Sequence, residues 1–179
     1  MTQISLSYPI GSFERPEKIT KSNLKTWIKD IENLPKQLKK ATDGLTDTQL
    51  DTPYRDGGWT VRQLIHHVAD SHTNAYIRTK WTLTENKPTI KAYDEKAWAE
   101  QEDSKTASIT LSLTLLAAMH KRWVVALKAL QPADFERAFI HPETQQEIPI
   151  KVLLALYSWH GRHHTSHVTS LRERMGWES

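Results

Sequence analysis

Residues 150–176 read IKVLLALYSWHGRHHTSHVTSLRERMG, and their periodicity decides the architecture. At about 100° per residue, steps of three and four from Leu153 pass through positions 157, 160, 164, 168, 171 and 175. Leu153, Tyr157, Val168, Leu171 and Met175 make that stripe apolar. The spacing therefore predicts a helix over about 150–174, with Gly176 as the left-handed residue that closes it. His160 and His164 fall on the same inward stripe, one turn apart, and neutral imidazoles at i and i+4 can reach one ion. His163 and His167 form a rival i,i+4 pair. His163 lies roughly 60–80° off the stripe by the same arithmetic, and His167 lies closer in, where it could support the ligands. A lone histidine is more often an ordinary surface or core residue. Two stacked on a core stripe carry a desolvation cost and repel each other if protonated, and a shared ion removes that conflict.

Upstream, residues 138–150 (AFIHPETQQEIPI) have apolar ends around a Pro-Glu-Thr-Gln turn, the pattern of a small β-hairpin or a long loop. A helix is expected over about 108–130, ending before Pro132. Residues 88–107 read as a polar connection with Tyr93 and Trp98 embedded and room for one short helical turn. Thr60 and Gln63 have capping-box spacing and start a helix that Lys87-Pro88 stops near Asn86. The preceding loop, DTPYRDGG at 51–58, is broken by Pro53 and by Gly57-Gly58. Thr46 and Gln49 form another capping box, opening a short turn. Leu24, Trp27, Ile28, Ile31, Leu34 and Leu38 share one stripe, so a first helix runs from about Ser22 to near Gly44. Residues 1 to about 18 read as an extended arm lying on the body. Four long helices joined in this way imply an all-α four-helix bundle, one domain over 1–179 with no internal repeat.

Composition narrows the function. The chain has 179 residues, 38% hydrophobic and 25% charged, with net charge +3. That balance is globular rather than disordered. Its 24 Lys and Arg against 21 Asp and Glu are spread along the chain, with no basic block to track a phosphate backbone. No apolar run reaches membrane-span length, and Met1–Glu14 lacks a signal-peptide pattern, so the expected location is the cytoplasm. Without cysteine there is neither disulfide nor thiolate site, and a metal must be held by His, Asp or Glu. Nine His and seven Trp stand out, the latter suited to a rigid aromatic core or a pocket rim.

A third ligand would come from the second long helix, in His66-His67-Val68-Ala69-Asp70-Ser71-His72. Val61, Leu64, Ile65, Val68, Ala75 and Tyr76 define its main apolar stripe. Periodicity places His72 on that stripe, His67 roughly 120° away and His66 outward. A bundle helix touches two neighbours and can bury two faces, so both His72 and His67 stand as candidates.

The segment Trp59-Thr60-Val61-Arg62-Gln63-Leu64-Ile65-His66-His67-Val68-Ala69-Asp70-Ser71 resembles the first motif of the DinB-like superfamily, a Trp-Ser/Thr-Val-Arg helix start followed by a metal-binding His and then an Asp. His160-Gly161-Arg162-His163-His164 resembles its second motif, a His-x-x-His-His cluster on the last helix. The loop 51–58 and Tyr93-Asp94-Glu95-Lys96-Ala97-Trp98 point to the YfiT-type branch, and the similarity covers nearly the whole chain. The resemblance implies a homodimer in which each chain is a four-helix bundle with one metal, Zn or Ni, held by its His67, His160 and His164. Many relatives carry Gln at the position of His167, which leaves that residue outside the implied ligand set.

Three histidines leave positions open for water or a small-molecule substrate, the arrangement of catalytic rather than structural sites. Such an ion can lower the pKa of a water and polarise a carbonyl or phosphoryl oxygen, and members of this branch are described as metal-dependent hydrolases. No H-E-x-x-H is present to supply a general base. Asp70, one turn after His67, could orient that ligand or take a proton, and is as readily a helix-surface carboxylate. Tyr54, Arg55 and Asp56 precede the helix where they could reach the site mouth, although turn chemistry explains Asp56 and Gly57 equally well. Trp59, Tyr157 and Trp159 read as core or pocket wall. Two alternatives remain: a thiol S-transferase of the bacillithiol type, in which the metal lowers a thiol pKa, and a non-enzymatic metal-binding stress protein whose ion mainly holds the bundle together.

Overall fold

The computed structural model describes residues 6–177. Its four long helices are α1 (Lys21–Thr42), α3 (Val61–Thr84), α6 (Ile109–Lys128) and α7 (Ile150–Met175); α2 (Asp47–Leu50), α4 (Glu95–Ala99), α5 (Glu102–Thr106) and a 3-10 turn (Pro132–Glu136) lie in the connections. A hairpin of β1 (Ala138–Ile140) and β2 (Glu147–Pro149) precedes α7. The fold is thus the expected four-helix bundle with a small antiparallel hairpin. The 88–107 connection holds two short helices where one turn was expected.

Local chemistry sets the helix ends. Thr46 and Thr60 each accept from the backbone N–H three residues on, and Gln49 and Gln63 bond back to the cap nitrogens. Gly176 adopts φ 65°, and its N–H bonds back to the last turn of α7. In the hairpin, Phe139 faces Ile148, and the turn after His141 is closed by Gln145 N–H on the His141 carbonyl at 2.8 Å.

Packing gives the bundle its topology. α1 lies against α6 and α7, and α3 lies against the same two helices. The chain therefore crosses a diagonal twice, from α1 to α3 through residues 43–60 and from α6 to α7 through 129–149. Both crossings are held by specific bonds. Buried Arg62 donates from Nε to Asp51 (2.7 Å), from Nη2 to Asp47 (2.9 Å) and from Nη1 to the Ala107 carbonyl (3.1 Å), fastening the first crossing and the α5 end onto the start of α3. Arg137 donates to the Thr82 and Glu85 carbonyls at 2.9 and 3.0 Å, satisfying free carbonyls at the end of α3 and anchoring the second crossing. The core between the helices is built on Ile31, Leu38, Leu64, Ile65, Leu116, Trp123, Leu127, Phe139, Ile150, Leu153 and Leu154. Met175, placed on the α7 stripe by periodicity, is exposed at the helix end.

The described part of the N-terminal arm lies against α7. Trp159 Nε1 donates to the Gly11 carbonyl at 3.1 Å, Phe13 packs on the Trp159 ring, and Tyr8 approaches His163. Residues 1–5 of the expected arm lie outside the described residues. Among the described residues, no helix is long and apolar enough to cross a membrane.

Candidate metal centre

α3 and α7 bring His67, His160 and His164 together across their contact. His160 Nε2 lies 3.3 Å from His67 Nε2 and 3.2 Å from His164 Nε2. A tetrahedral ion with metal–nitrogen bonds of about 2.0–2.1 Å holds its donors about 3.3–3.4 Å apart. The donor set therefore fits a first-row ion that accepts imidazole. Burial pushes His67 down to about 4 and, with neighbouring imidazoles adding to the effect at these two, holds His160 and His164 well below the usual histidine range. All three are neutral at pH 7, the state in which a histidine can ligate.

His72 sits behind this group. Its Nε2 is 3.2 Å from Nδ1 of His160, the ring edge opposite the convergent Nε2 atoms. Periodicity places His72 in the core, where it is 0% exposed, and the structure brings His67, which the resemblance names, close to His160 and His164. His66, expected outward, is buried instead. The 88–107 connection folds over the first half of α3, and His66 bonds Ser112 Oγ at 2.7 Å and the Ala107 carbonyl at 3.2 Å. Beyond His72 lies His120 of α6, stacked on it with ring centres 5.0 Å apart. Sequence reasoning did not single out His120. Its signal was a histidine inside the buried stripe Leu116, Met119, Trp123 and Leu127.

His163, His164 and His167 form a second group, with His163 and His167 Nε2 atoms 3.0 Å apart. Trp159 stacks on His163 at 4.4 Å and Tyr54 packs on His167 at 4.1 Å. Burial first, then the His163 imidazole and the Arg55 and Arg174 guanidiniums, push His167 down to about 3. That positive potential penalises a cation beside His167. No guanidinium acts on the first group in this way, which makes it the more favourable candidate for a cation.

Both groups line one cavity of about 800 Å³. The loop before α3 supplies part of its wall. Tyr54 N–H bonds the Trp59 carbonyl at 3.0 Å, Arg174 of α7 donates to the Tyr54 carbonyl at 2.7 Å, and Trp59 packs on His67 at 4.7 Å. Gly58 permits this closed loop, because a Cβ there would sit 2.8 Å from Arg55 Cγ. Tyr54, Arg55, Trp59 and Trp159 all reach the cavity; Asp56 and Asp70 are not in its wall. Asp70 is half-buried, and desolvation, then Asp103, raises it to about 6. Glu95, Lys96 and Glu100 complete the polar rim.

Buried neutral imidazoles tie stability to pH. His67 and His120 are each held down to about 4, against 6.5 when unfolded. Between those values the unfolded chain binds protons that the folded chain refuses, so stability falls as pH falls. In the metal-free protein the thermal midpoint should be flat above about pH 7 and should drop from about pH 6.5 toward 4. A midpoint that rises over that interval contradicts the buried neutral state.

Comparison with known proteins gives consistent matches. The sequence model of the DinB superfamily matches residues 30–168. A Bacillus subtilis protein named "Putative metal-dependent hydrolase YfiT" is 52% identical over 177 residues, covering 99% of each chain. A Bacillus cereus protein, "Putative metal-dependent hydrolase", is 55% identical over 172 residues, covering 96% of this chain and 98% of the relative. The solved structure of Bacillus subtilis YfiT, described as "a probable metal-dependent hydrolase with an unusual four-helix bundle topology", superposes with a TM-score of 0.94 at 53% identity, covering 97% of this chain and 99% of that one.

Proposed function

The chain belongs to the DinB superfamily, and from that premise we propose that it is a hydrolase of small-molecule substrates. It works with one divalent transition metal, zinc or nickel, held by His67, His160 and His164. The observation that carries this reading is the convergence of three neutral imidazole nitrogens, spaced 3.2 and 3.3 Å from the central one, at the wall of an open cavity. Three protein ligands leave positions free for water and substrate. When bound, the ion polarises a carbonyl or phosphoryl oxygen and lowers the pKa of a water at its side.

The chain's own groups supply the rest. Trp59 and Tyr54 wall the site against bulk solvent, and Arg55 and Lys96 offer positive charge to an anionic group or a developing oxyanion. Of the carboxylates in the cavity wall, Glu100 is engaged by Lys105 at 2.6 Å, whereas Glu95 has no ion-pair partner among the described residues. Glu95 therefore replaces Asp70 as the proton acceptor in this reading. The same reading takes residues 1–179 as one cytoplasmic domain that pairs as a homodimer. Exposed Leu111, Leu115 and Val125 on the outer face of α6 are suited to being covered by a second copy.

The test is a panel of activated esters, amides and phosphoesters, and a thiol with an electrophile, offered to the zinc- and nickel-loaded protein. Metal-dependent hydrolysis is expected, abolished by His164→Ala. Glu95→Gln should lower it by about 100-fold or more with metal content unchanged. Thiol transfer without hydrolysis moves the site to the S-transferase reading. Full metal loading with neither activity moves the protein to a non-enzymatic role.

A further inference from the structure

We propose that the Ile31 carbonyl, His120 and His72 form a positioning chain that fixes the tautomer of His160 and so presents its Nε2 lone pair to the metal. The inference rests on the three-histidine reading above. The chain threads all four long helices. Ile31 lies on α1, His120 on α6, His72 on α3 and His160 on α7. His120 Nδ1 is 2.5 Å from the Ile31 carbonyl oxygen, His120 Nε2 is 3.1 Å from His72 Nδ1, and His72 Nε2 is 3.2 Å from His160 Nδ1.

Pro35 makes the first link available. In a helix the carbonyl of residue 31 normally accepts from the N–H of residue 35, but residue 35 is proline, inside α1, and has no N–H. A buried carbonyl left without its helical donor costs free energy unless another donor reaches it. His120 reaches it.

The direction of every later link then follows. A carbonyl only accepts, so the His120 proton is on Nδ1. A neutral imidazole has one donor and one acceptor, so His120 Nε2 accepts and His72 Nδ1 donates. His72 Nε2 must then accept, and His160 Nδ1 must donate. That leaves the His160 lone pair on Nε2, the atom 3.2 and 3.3 Å from the other two candidate ligand nitrogens. His72 and His120 are 0% and 1% exposed, so water does not compete for their ring atoms. Tyr157 stands perpendicular to His72 at 4.9 Å and Trp123 perpendicular to His120 at 5.7 Å, which holds both rings against rotation. A histidine ligand commonly donates its second ring N–H to a carboxylate, a carbonyl or water. Here the carbonyl stands two imidazoles away.

The experiment compares wild type, His120→Leu and His120→Gln, using zinc as the probe. Ring-nitrogen NMR on metal-free and zinc-loaded protein reads the tautomers, and chelator competition reads the zinc affinity. The metal-free wild type should carry Nδ1–H on His120, His72 and His160, with zinc then binding His160 through Nε2. The leucine variant should bind zinc about 10–100-fold more weakly, with His72 and His160 exchanging between tautomers. The glutamine variant, whose side-chain carbonyl can accept from His72 Nδ1, should keep the wild-type tautomers and most of the affinity. A general packing defect would weaken both variants alike and would leave the nitrogen pattern unmoved.

Wild-type affinity in the leucine variant overturns the proposal, as does Nε2–H on His72 or His160 in the metal-free wild type. The second readout decides even if the leucine variant does not fold. A wild type that binds no zinc sinks the three-histidine reading and the positioning role together. Failure of the chain alone shows only in the tautomers and the variants.

Discussion

Replacing any one of His67, His160 and His164 by alanine is expected to abolish stoichiometric binding of a divalent metal, while His72→Ala leaves a weakened site that still loads. Each of the three would contribute one of the three protein donors in the proposed site. Losing one should therefore exceed the roughly 10–100-fold effect of losing an outer partner. Metal per chain by mass spectrometry after dialysis reads the result. Stoichiometric metal in a His160→Ala/His164→Ala double variant would show that the centre lies elsewhere.

The metal-free proteins should separate the two α7 ligands. His160→Ala strips the donor from His72 Nε2 and leaves a buried acceptor unpaired, a cost of about 1–3 kcal/mol, before any cavity term. His164 Nδ1 is already a buried atom with no hydrogen-bond partner among the described residues, so His164→Ala removes an unsatisfied group along with the side chain. Metal-free His160→Ala should therefore unfold at a lower temperature than metal-free His164→Ala. Equal midpoints would argue that the His160 Nδ1 bond contributes nothing to the fold.

What could be read from the sequence was whatever is local. Thr46 with Gln49 and Thr60 with Gln63 are self-contained hydrogen-bond devices, and the helices start where those pairs place them. His160 and His164 share a stripe because they stand four positions apart on one helix. His67 could not be found in this way. Residues 61–69 of α3 are buried without interruption, because α6, α7 and the short helices α4 and α5 cover it from different sides. A single-stripe argument ranks faces by hydrophobicity, and on a helix covered on several sides that ranking loses meaning.

Periodicity correctly found His72 to be buried, but burial does not say which ring edge of His160 it meets. The partner of His120 on α1 is 89 residues away in sequence. Even so, one local sign pointed to it. Pro35 within the stripe of Leu24 to Leu38 implies a carbonyl at residue 31 that needs a donor from another helix.

Gly161→Val is expected to destabilise the protein by about 3 kcal/mol, with loss of metal affinity, and Leu34→Ala in the same chain should recover part of both. At residue 161 a Cβ would sit 2.7 and 3.0 Å from the two methyls of Leu34 and 3.2 Å from its Cγ. Leu34 is 2% exposed, so its methyls cannot swing into solvent. Alanine alone brings two opposed effects, overpacking of about 1–3 kcal/mol and a gain of about 1 kcal/mol in helix propensity over glycine. The net loss should be small. Valine adds two methyls to the same crowded side and keeps less of that gain, so overpacking wins.

The strain is placed where it matters for the site. α1 and α7 are also tied there by Ser158 Oγ donating to Asp30, and Ile31 and His160 are the two ends of the hydrogen-bonded chain. Forcing α1 from α7 at residues 34 and 161 lengthens the span that His120 and His72 must bridge. Zinc affinity should therefore fall even under conditions where the valine variant is fully folded. Denaturant unfolding and zinc competition on the single and double variants measure both effects. A valine variant as stable as the wild type would mean that the two helices can part at no cost, and a rigid chain of imidazoles anchored on both would then lose its physical basis.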